Sequence, residues 1–296
     1  MLGQDGNSLV TLLAILAIVF CIFKFISIVY DLVLQSGASY RPEVFNWFAL
    51  PADPAKLLFR PWTLLTYMFM HDGVFHLLGN LLWLWAFGFI LQDLAGNGKL
   101  IPVFLYGGLA GGLIFLLSFN VIPALVPRAD FATLEGASAG VMAIAIAATT
   151  IAPRYRLFPM INGGIPLWVL TVIFVIIDFA SIQGQNGGGH LAHLAGAATG
   201  FFFVRLMQKG YDGSEPVNKF FRWSANLFKP EENSWKKTAR KEYYYNTKGR
   251  EPYKKSPIIT QKRIDDILDK INQKGYRSLS EEEKDILKRA AQNEDL

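Results

Sequence analysis

The stretch EGASAGVMAIAIAATTIAP, residues 135–153, joins a run of small residues to a largely apolar helix pattern. One serine, Ser138, stands where the small residues give way to the helix. Small residues at the start of an apolar helix indicate a close approach of neighbouring helices. Whether this serine only packs or also reacts depends on the polar residues elsewhere in the chain.

The composition around this stretch is that of a membrane protein. Of the 296 residues, 52% are hydrophobic and 18% are charged, whereas soluble domains carry about 25% charged residues. Long apolar runs approach the roughly 20 residues that cross about 30 Å of hydrocarbon. The runs are 9–34, 75–91, 100–119, 137–151, 166–182 and 190–207. We therefore predict an all-α membrane protein with six transmembrane helices.

The charges predict how such a bundle is oriented. Six spans place both termini on one side, and the connectors on that side, together with the tail, carry more of the positive charge, which favours cytoplasmic termini. The first run is long and lacks a basic leader and a cleavage site, so it is not expected to be a signal peptide. The single cysteine, Cys21, excludes an intrachain disulfide. The net charge of +5 lies in the tail and favours anionic lipid over nucleic acid as a partner.

Two segments outside the spans have a distinct composition. The connector 35–74 is long and rich in proline and aromatic residues, so we expect it to be functional or folded, with Trp47 and Trp62 at the membrane interface. Residues 209–258 are basic with interleaved tyrosines, which is typical of a disordered linker facing lipid. RNA binding is the alternative for that linker.

The end of the chain, residues 259–296, has the pattern of a small helical module. Apolar residues recur at helical spacing in IITQKRIDDILDKINQKG, and a second helix pattern follows in SLSEEEKDILKRAAQN. Gly275 is expected to end the first helix and Ser280 to cap the second. No residue in this module is a candidate for a catalytic role.

Polar residues inside membrane spans are functional candidates by default. In a six-span topology the second, fourth and sixth helices all run inward from the outer surface. Each of these helices has polar residues near its start, and the polar residues in the spans that we take as candidates are Lys24, Asp31, His76, Asn80, Ser138, Asp178, His190 and His193. Three helices that are distant in sequence therefore place serine, histidine and amide groups at one depth.

The fourth run is also too short to cross the hydrocarbon. Its fifteen residues, 137–151, rise about 22 Å, so the helix should begin below the outer surface. Backbone donors at that depth are tolerated only in a protein-walled cavity that holds water. There, the first-turn N–H groups and the helix dipole would face an anion formed at Ser138.

A serine becomes a nucleophile when a base lies within hydrogen-bond reach. His193 is followed by Gly196 and Gly200, four residues apart, and this small-residue face allows close contact with another helix. We predict that this helix is the fourth, which would bring His193 to Ser138. His76 and Asn80 share a helix face, and both can donate hydrogen bonds to an oxyanion.

The segments HLLGNLLWLWAFG from His76, GASAG around Ser138 and AHLAGAATG around His193 resemble the rhomboid family of intramembrane serine proteases. The resemblance covers roughly residues 9–207. It implies a rhomboid-like bundle in which Ser138 is the nucleophile and His193 its base, a dyad without a carboxylate. It further implies an oxyanion hole of His76, Asn80 and the Ser138 amide, and no metal or cofactor. The residues expected to support this site are Gly136, Gly140, Gly196, Gly200 and Met142.

The resemblance also implies the domain organisation and the partners. Residues 1–208 would form the protease domain in a cell inner membrane, followed by the linker 209–258 and the module 259–296. The substrates would be single-span membrane proteins cut near their extracytoplasmic end. Two features depart from the family pattern: Ala139 follows the serine where glycine is common, and the loop reads RPWT, with Arg60 ahead of Trp62.

Other interpretations of these residues remain open from the sequence. Asp178 could be a third member of the catalytic group or, as we expect, a partner for a hydroxyl or a backbone donor. His190 is expected at the cavity mouth or on a loop carbonyl, and His71 at the membrane interface. The alternatives for the whole protein are an inactive relative that binds transmembrane clients, a metal site built from the four histidines, and a solute transporter.

Overall fold

The structure of the chain is a computed structural model. It describes residues 7–157, 163–184, 186–227 and 261–292. The chain divides into two units, Met1–Leu227 and Phe228–Leu296.

The first unit consists of α-helices. They are α1 (Ser8–Leu32), α2 (Gly37–Glu43), α3 (Pro54–Phe59), α4 (Thr63–Thr66), α5 (Val74–Ala95), α6 (Asn97–Val121), α7 (Ser138–Ile151), α8 (Leu167–Ser181), α9 (Gly187–Gln208) and α10 (Glu215–Leu227). Short 3₁₀ turns lie at Phe45–Trp47, Tyr67–Phe69 and Val126–Arg128. Within the described ranges, the extended segments are two antiparallel pairs, β1 (Leu50–Pro51) with β2 (Thr133–Leu134) and β3 (Arg156–Leu157) with β4 (Ile165–Pro166). The all-α prediction is therefore confirmed.

Each of the six predicted apolar runs falls on one of the helices α1 and α5 to α9. Among them, α1, α5 and α6 are long and apolar enough to cross a membrane. The helices α7 and α8 are apolar but shorter. The 14 residues of α7 rise about 21 Å, in keeping with a helix that starts below a membrane surface. The full count of six spans stays a prediction.

Helix α7 lies at the centre of the first unit, in contact with α5, α6 and α9. Nearly every residue from Ala139 to Ala148 is buried. The contact with α9 is made by backbone, since a Cβ added to Gly196 would lie 2.1 Å from the Ala139 oxygen, and one added to Gly200 would lie 2.1 Å from the Ala143 oxygen. The predicted packing of the sixth apolar helix on the fourth is confirmed.

Helix α6 packs on α7 through glycines as well. A Cβ on Gly111 would lie 2.6 Å from the Ala139 Cβ, and one on Gly107 would lie 2.3 Å from the Ala143 Cβ. The methyl group of Ala139, where the family commonly has glycine, therefore fits because α6 presents a glycine opposite it.

The connector 35–74 is folded, as predicted, into α2, α3, α4 and the turns between them. Its aromatic residues are held by one another. The rings of Trp47 and Trp62 stack with centroids 6.4 Å apart, and the Trp62 indole N–H donates to the Trp47 carbonyl at 2.8 Å. The Arg60 guanidinium lies 4.0 Å from the Trp47 ring centroid. The order RPWT thus places both Arg60 and Trp62 on the same tryptophan.

The segment after α9 differs from the predicted disordered linker, because residues 215–227 form helix α10. This helix is tied to the start of α6. Lys99 forms an ion pair with Asp212 and donates to the Ser214 hydroxyl at 2.9 Å, and the Asn218 amide donates to the Gly98 carbonyl at 3.0 Å. Hydrogen bonds that Asp212 accepts from Lys99 and from the hydroxyl and N–H of Ser214 lower the pKa of Asp212 to about 2. The rest of the predicted linker, residues 228–258, lies outside the described residues.

The second unit contains α11 (Gln261–Lys274) and α12 (Glu281–Gln292). Gly275 ends α11 with φ +76°, and its N–H donates to the Ile271 carbonyl at 2.8 Å. The Ser280 hydroxyl accepts from the Glu283 N–H at 3.2 Å, while the Glu283 carboxylate accepts from the Ser280 N–H at 2.7 Å. Both predicted caps are confirmed, and the second is a capping box.

The α7–α9 contact generates a stability prediction. Gly200→Ala would drive a methyl into the Ala143 carbonyl, so we expect the unfolding free energy to fall by about 1–3 kcal/mol or more. Thermal unfolding of the purified protein in detergent measures this change. Gly79→Ala in α5 is the matched control, because a Cβ there meets nothing within 4 Å. Equal melting temperatures for the two variants would contradict the predicted tight contact.

Candidate active site

Ser138 and His193 are brought together across the α7–α9 contact. Ser138 is the first residue of α7 and His193 lies in the second turn of α9. The distance from the Ser138 Oγ to the His193 Nε2 is 2.6 Å. Both residues are partly buried. A hydroxyl within hydrogen-bond reach of an imidazole nitrogen is the arrangement in which a serine can lose its proton as it attacks.

His76 lies beside the loop that leads into Ser138. Gly136 in this loop has φ +110°, and its N–H donates to the Tyr67 carbonyl at 2.9 Å. A Cβ at Gly136 would lie 2.8 Å from the His76 Nε2 and 3.8 Å from the Ser138 Oγ. Glycine is therefore needed here twice, for the left-handed backbone and for the space that the His76 ring occupies. His76 itself is exposed.

Asn80 is buried one turn further along α5, where its amide has two acceptors. Its Nδ2 donates to the His76 carbonyl at 3.0 Å and lies 3.2 Å from the His71 Nε2. The Ala137 N–H also donates to the His71 Nε2, at 3.3 Å. Because two N–H donors share this nitrogen, it must carry a lone pair, and His71 must be neutral.

His71 is buried within the protein, with an exposed fraction of 3%, and its expected place at the depth of the membrane interface stays a prediction. Burial lowers the pKa of His71 to about 4, and the neighbouring His76 contributes in the same direction, while the Phe69 backbone partly offsets both. The signal in the sequence was its position, five residues before His76 and just ahead of α5. No sequence pattern predicts that His71 accepts a hydrogen bond from a backbone N–H.

Asp178 differs most from its predicted role. Its Oδ1 lies 2.9 Å from the His193 Nδ1 and 2.7 Å from the His190 Nδ1. The expected partner of Asp178, a hydroxyl or a backbone donor, is wrong, and the His190 Nδ1 lies on this carboxylate and not on a loop carbonyl. The position of His190 at the cavity mouth stays a prediction. The dyad that the resemblance implies lacks a carboxylate, whereas here a carboxylate oxygen lies on the far side of His193.

Charged residues tie together the two loops that carry these groups. Arg41 in α2 contacts the Asp72 carboxylate at 2.8 Å and the Glu135 carboxylate at 2.9 Å. Asp72 follows His71 in the chain, and Glu135 precedes Gly136. Burial raises the pKa of Glu135, and the Arg41 charge partly offsets that shift. One guanidinium therefore links the loop before α5 to the loop before α7.

The other residues expected to support the site are buried around α7. Met142 is 0% exposed, and Gly140 faces Phe104, whose ring would lie 2.6 Å from an added Cβ. Gly196 and Gly200 make the backbone contacts of α9 described above. These positions hold helices close together, whereas the Ser138 hydroxyl is hydrogen-bonded to the His193 Nε2.

Three of the site residues could serve as metal ligands. One ligand atom each from Asp178, His190 and His193 lies within 4.8 Å of the others. His71 and His76 form a separate pair with ring centroids 5.0 Å apart. Among the described residues the four histidines thus do not form one common ligand group. Within the trio, both imidazoles contact one carboxylate oxygen, the Asp178 Oδ1.

The apolar helix bundle and the serine–histidine pair within it define the class: a membrane-embedded, all-α protein with the groups of a serine hydrolase. The particular family follows from comparison, since the rhomboid domain model matches residues 59–209, half of the chain. The chain belongs to the rhomboid family of intramembrane proteases.

Individual relatives match over a shorter stretch. The rhomboid proteases GlpG of Salmonella newport (strain SL254), Salmonella heidelberg (strain SL476) and Salmonella agona (strain SL483) are 39% identical over 71 residues, which is 24% of this chain and 25% of theirs. The chain therefore matches about a quarter of the length of these relatives. Residues 251–293 match a separate family of unknown function, DUF6576.

The buried His71 generates a pH prediction. Because its pKa falls from the usual 6.5 to about 4, the unfolded chain binds a proton between these values that the folded chain does not. The contribution of His71 to the free energy of unfolding is therefore complete above pH 6.5. It falls as the pH falls towards 4, by up to about 3 kcal/mol. The His71→Gln variant keeps an amide oxygen that can still accept a hydrogen bond but loses the titrating group. We therefore expect its melting temperature to depend less on pH, between pH 7 and 4.5, than that of wild type. A slope equal to that of wild type would contradict this role of His71, and Asp93→Asn at an exposed site is the control.

Proposed function

We propose that this protein is an intramembrane serine endopeptidase in which Ser138 is the nucleophile and His193 the general base. The observation that carries the proposal is the 2.6 Å distance between the Ser138 Oγ and the His193 Nε2, at the start of the central apolar helix. The family supports the same assignment, since the matched relatives are named rhomboid proteases.

The reaction follows from the roles of the two side chains. The His193 Nε2 takes the Ser138 proton while the Oγ attacks a substrate carbonyl carbon, which forms a C–O bond and an oxyanion. As the C–N bond breaks, the imidazolium returns this proton to the leaving amine. A water molecule, deprotonated by the same nitrogen, then hydrolyses the acyl-enzyme and frees Ser138.

The oxyanion would be stabilised by His76, Asn80 and the Ser138 N–H. The first N–H groups of an α-helix lack intrahelical partners and lie at the positive end of its dipole, and Ser138 is the first residue of α7. His76 is exposed beside Gly136, within reach of the same space. The Asn80 amide is engaged by His71 and by the His76 carbonyl, so it would exchange one acceptor for the oxyanion during the reaction.

The substrates we propose are single-span membrane proteins cut near their extracytoplasmic end. Ser138 lies at the outer start of α7 if both termini are cytoplasmic in an inner membrane, as the positive charges favour. A substrate helix must unwind before its carbonyls can be attacked, since they are hydrogen-bonded within the helix. Segments with glycine or proline near that boundary should therefore be preferred. The protease domain, 1–208, needs no group from the module 259–296 for this chemistry.

Lipid is the second partner that we propose, on the cytoplasmic side. The large apolar side chains of α10 are exposed, and basic residues are interspersed among them: Lys219, Phe220, Phe221, Arg222, Trp223 and Leu227. Since α10 follows a membrane helix and is tied to the start of α6, this pattern fits a helix lying in the headgroup region of an anionic leaflet. Nucleic acid is not an expected partner.

The proteolytic assignment is tested with purified protein in detergent or lipid. Ser138→Ala and His193→Ala should each abolish both the cleavage of a transmembrane substrate and labelling by a fluorophosphonate, while melting as wild type does. Chelators should have no effect. Ser118→Ala is the matched control, because Ser118 is buried in α6 and its hydroxyl donates to the Phe115 carbonyl, away from Ser138 and His193. Full activity of either folded site variant would overturn the proposal.

The oxyanion assignment has its own test. Asn80→Ala and His76→Ala should each lower kcat about 10²- to 10³-fold, with little change in KM, because the lost donors act in the transition state. Asn120→Ala is the control, since that amide donates to the Ala52 and Leu116 carbonyls. A wild-type kcat in folded Asn80→Ala would assign Asn80 to structure alone.

A further inference from the structure

Asp178 is a buried acid that the proposed mechanism does not use. Its exposed fraction is 3%, and it lies on α8, which otherwise buries only Leu167 and Thr171. The remaining large side chains of this helix are apolar and mostly exposed. An ionisable group at such a position is costly unless it is paired, and for that reason is a candidate for function.

Both partners of Asp178 are histidines of α9, and both use the same carboxylate oxygen. The Oδ1 lies 2.7 Å from the His190 Nδ1 and 2.9 Å from the His193 Nδ1. Within the described residues, the buried Oδ2 has no hydrogen-bond partner. An ionised carboxylate only accepts hydrogen bonds, so each histidine must carry its proton on Nδ1.

This requirement fixes the state of the nitrogen that faces the serine. A neutral imidazole with its proton on Nδ1 has a lone pair on Nε2, and the His193 Nε2 is the atom 2.6 Å from the Ser138 Oγ. In the opposite tautomer, Nε2 would carry a hydrogen and could not take the serine proton. The imidazolium formed during the reaction would also lie against a negative charge in a poorly solvated place.

We propose that Asp178 is a positioning residue for the reaction, holding His193 in the tautomer and orientation in which it acts as the base for Ser138. The site then works as three groups in line, Ser138, His193 and Asp178, although the family pattern requires only the first two. His190 donates to the same oxygen and so fixes the carboxylate from its other side. The inference rests on the proposed function.

A purely structural role for Asp178 is the competing explanation, because the same hydrogen bonds join α8 to α9. The two explanations differ in the chemical state of His193. If Asp178 only joins helices, its loss lowers the stability and leaves the intrinsic reactivity of the folded site unchanged. If it positions His193, its loss changes the tautomer and lowers kcat while substrate binding persists.

The experiment compares wild type, Asp178→Asn and Asp178→Glu, with Asp93→Asn at an exposed position of α5 as the control. We expect Asp178→Asn to lower kcat on the order of 10²- to 10⁴-fold with KM within about twofold, because the amide can donate to the Nδ1 and reverse the tautomer. Asp178→Glu, which keeps the charge, should recover part of that loss. Fluorophosphonate labelling of Ser138 should slow in parallel with kcat.

The direct readout is ¹⁵N NMR of protein labelled at its four histidines, with the His193 signal identified by its absence in His193→Ala. Wild type should show His193 protonated on Nδ1, and Asp178→Asn should not. A wild-type His193 protonated on Nε2 would overturn the inference, even if no Asp178 variant folds. So would a wild-type kcat and tautomer in Asp178→Asn. If Ser138→Ala still cleaves, the proposed function fails. The NMR measurement of the His193 tautomer tests separately whether Asp178 positions His193.

Discussion

The contact between α7 and α9 without intervening side chains is the constraint on which the rest of the molecule depends. A serine and a histidine have short reaches, and a 2.6 Å distance between their atoms requires two helices to approach backbone to backbone. Gly196 and Gly200 allow this approach, because any side chain there would meet the carbonyls of Ala139 and Ala143. In lipid, apolar burial gives little drive for helix association, so packing of small residues and interhelical hydrogen bonds must supply it.

Polar groups inside such a bundle are stable only when each has a partner, and this shapes the loops as much as the helices. His71 accepts the Ala137 N–H and so satisfies a backbone donor at the point where α7 begins. Arg41 joins the loop that carries His71 to the loop that carries Gly136. Ser138 therefore lies at the start of α7, and the loop that leads into it is held in place by a buried imidazole, a glycine and an ion-pair network.

The sequence was sufficient for features that depend on local pattern. The helix runs, the glycine spacing on α9 and the caps of α11 and α12 each follow from periodicity or from residue type at a fixed offset. The glycine spacing also predicted that His193 meets Ser138, and the resemblance added the expected reaction, proteolysis within the membrane.

Three features of the candidate site could not be read from the sequence. The partner of Asp178 depends on the rotation of α8 against α9 and on the loop between them, which no local pattern encodes. His71 was equally hidden, because its partner is a backbone N–H, which no residue pattern marks. Which group accepts a hydrogen bond from the Asn80 amide depends on the rotation of its side chain, and sequence spacing does not determine this rotation.

The link between Lys99 and the segment after α9 has a consequence for where this membrane unit ends. Asp212 and Ser214 bind the lysine at the start of α6, and Asn218 holds the neighbouring carbonyl. A fragment that stops at the last apolar residue of α9 would strip these partners from Lys99 and leave a cation at the helix entrance with only water and lipid around it. A minimal expression fragment that keeps these contacts must therefore include α10 and run at least to Leu227.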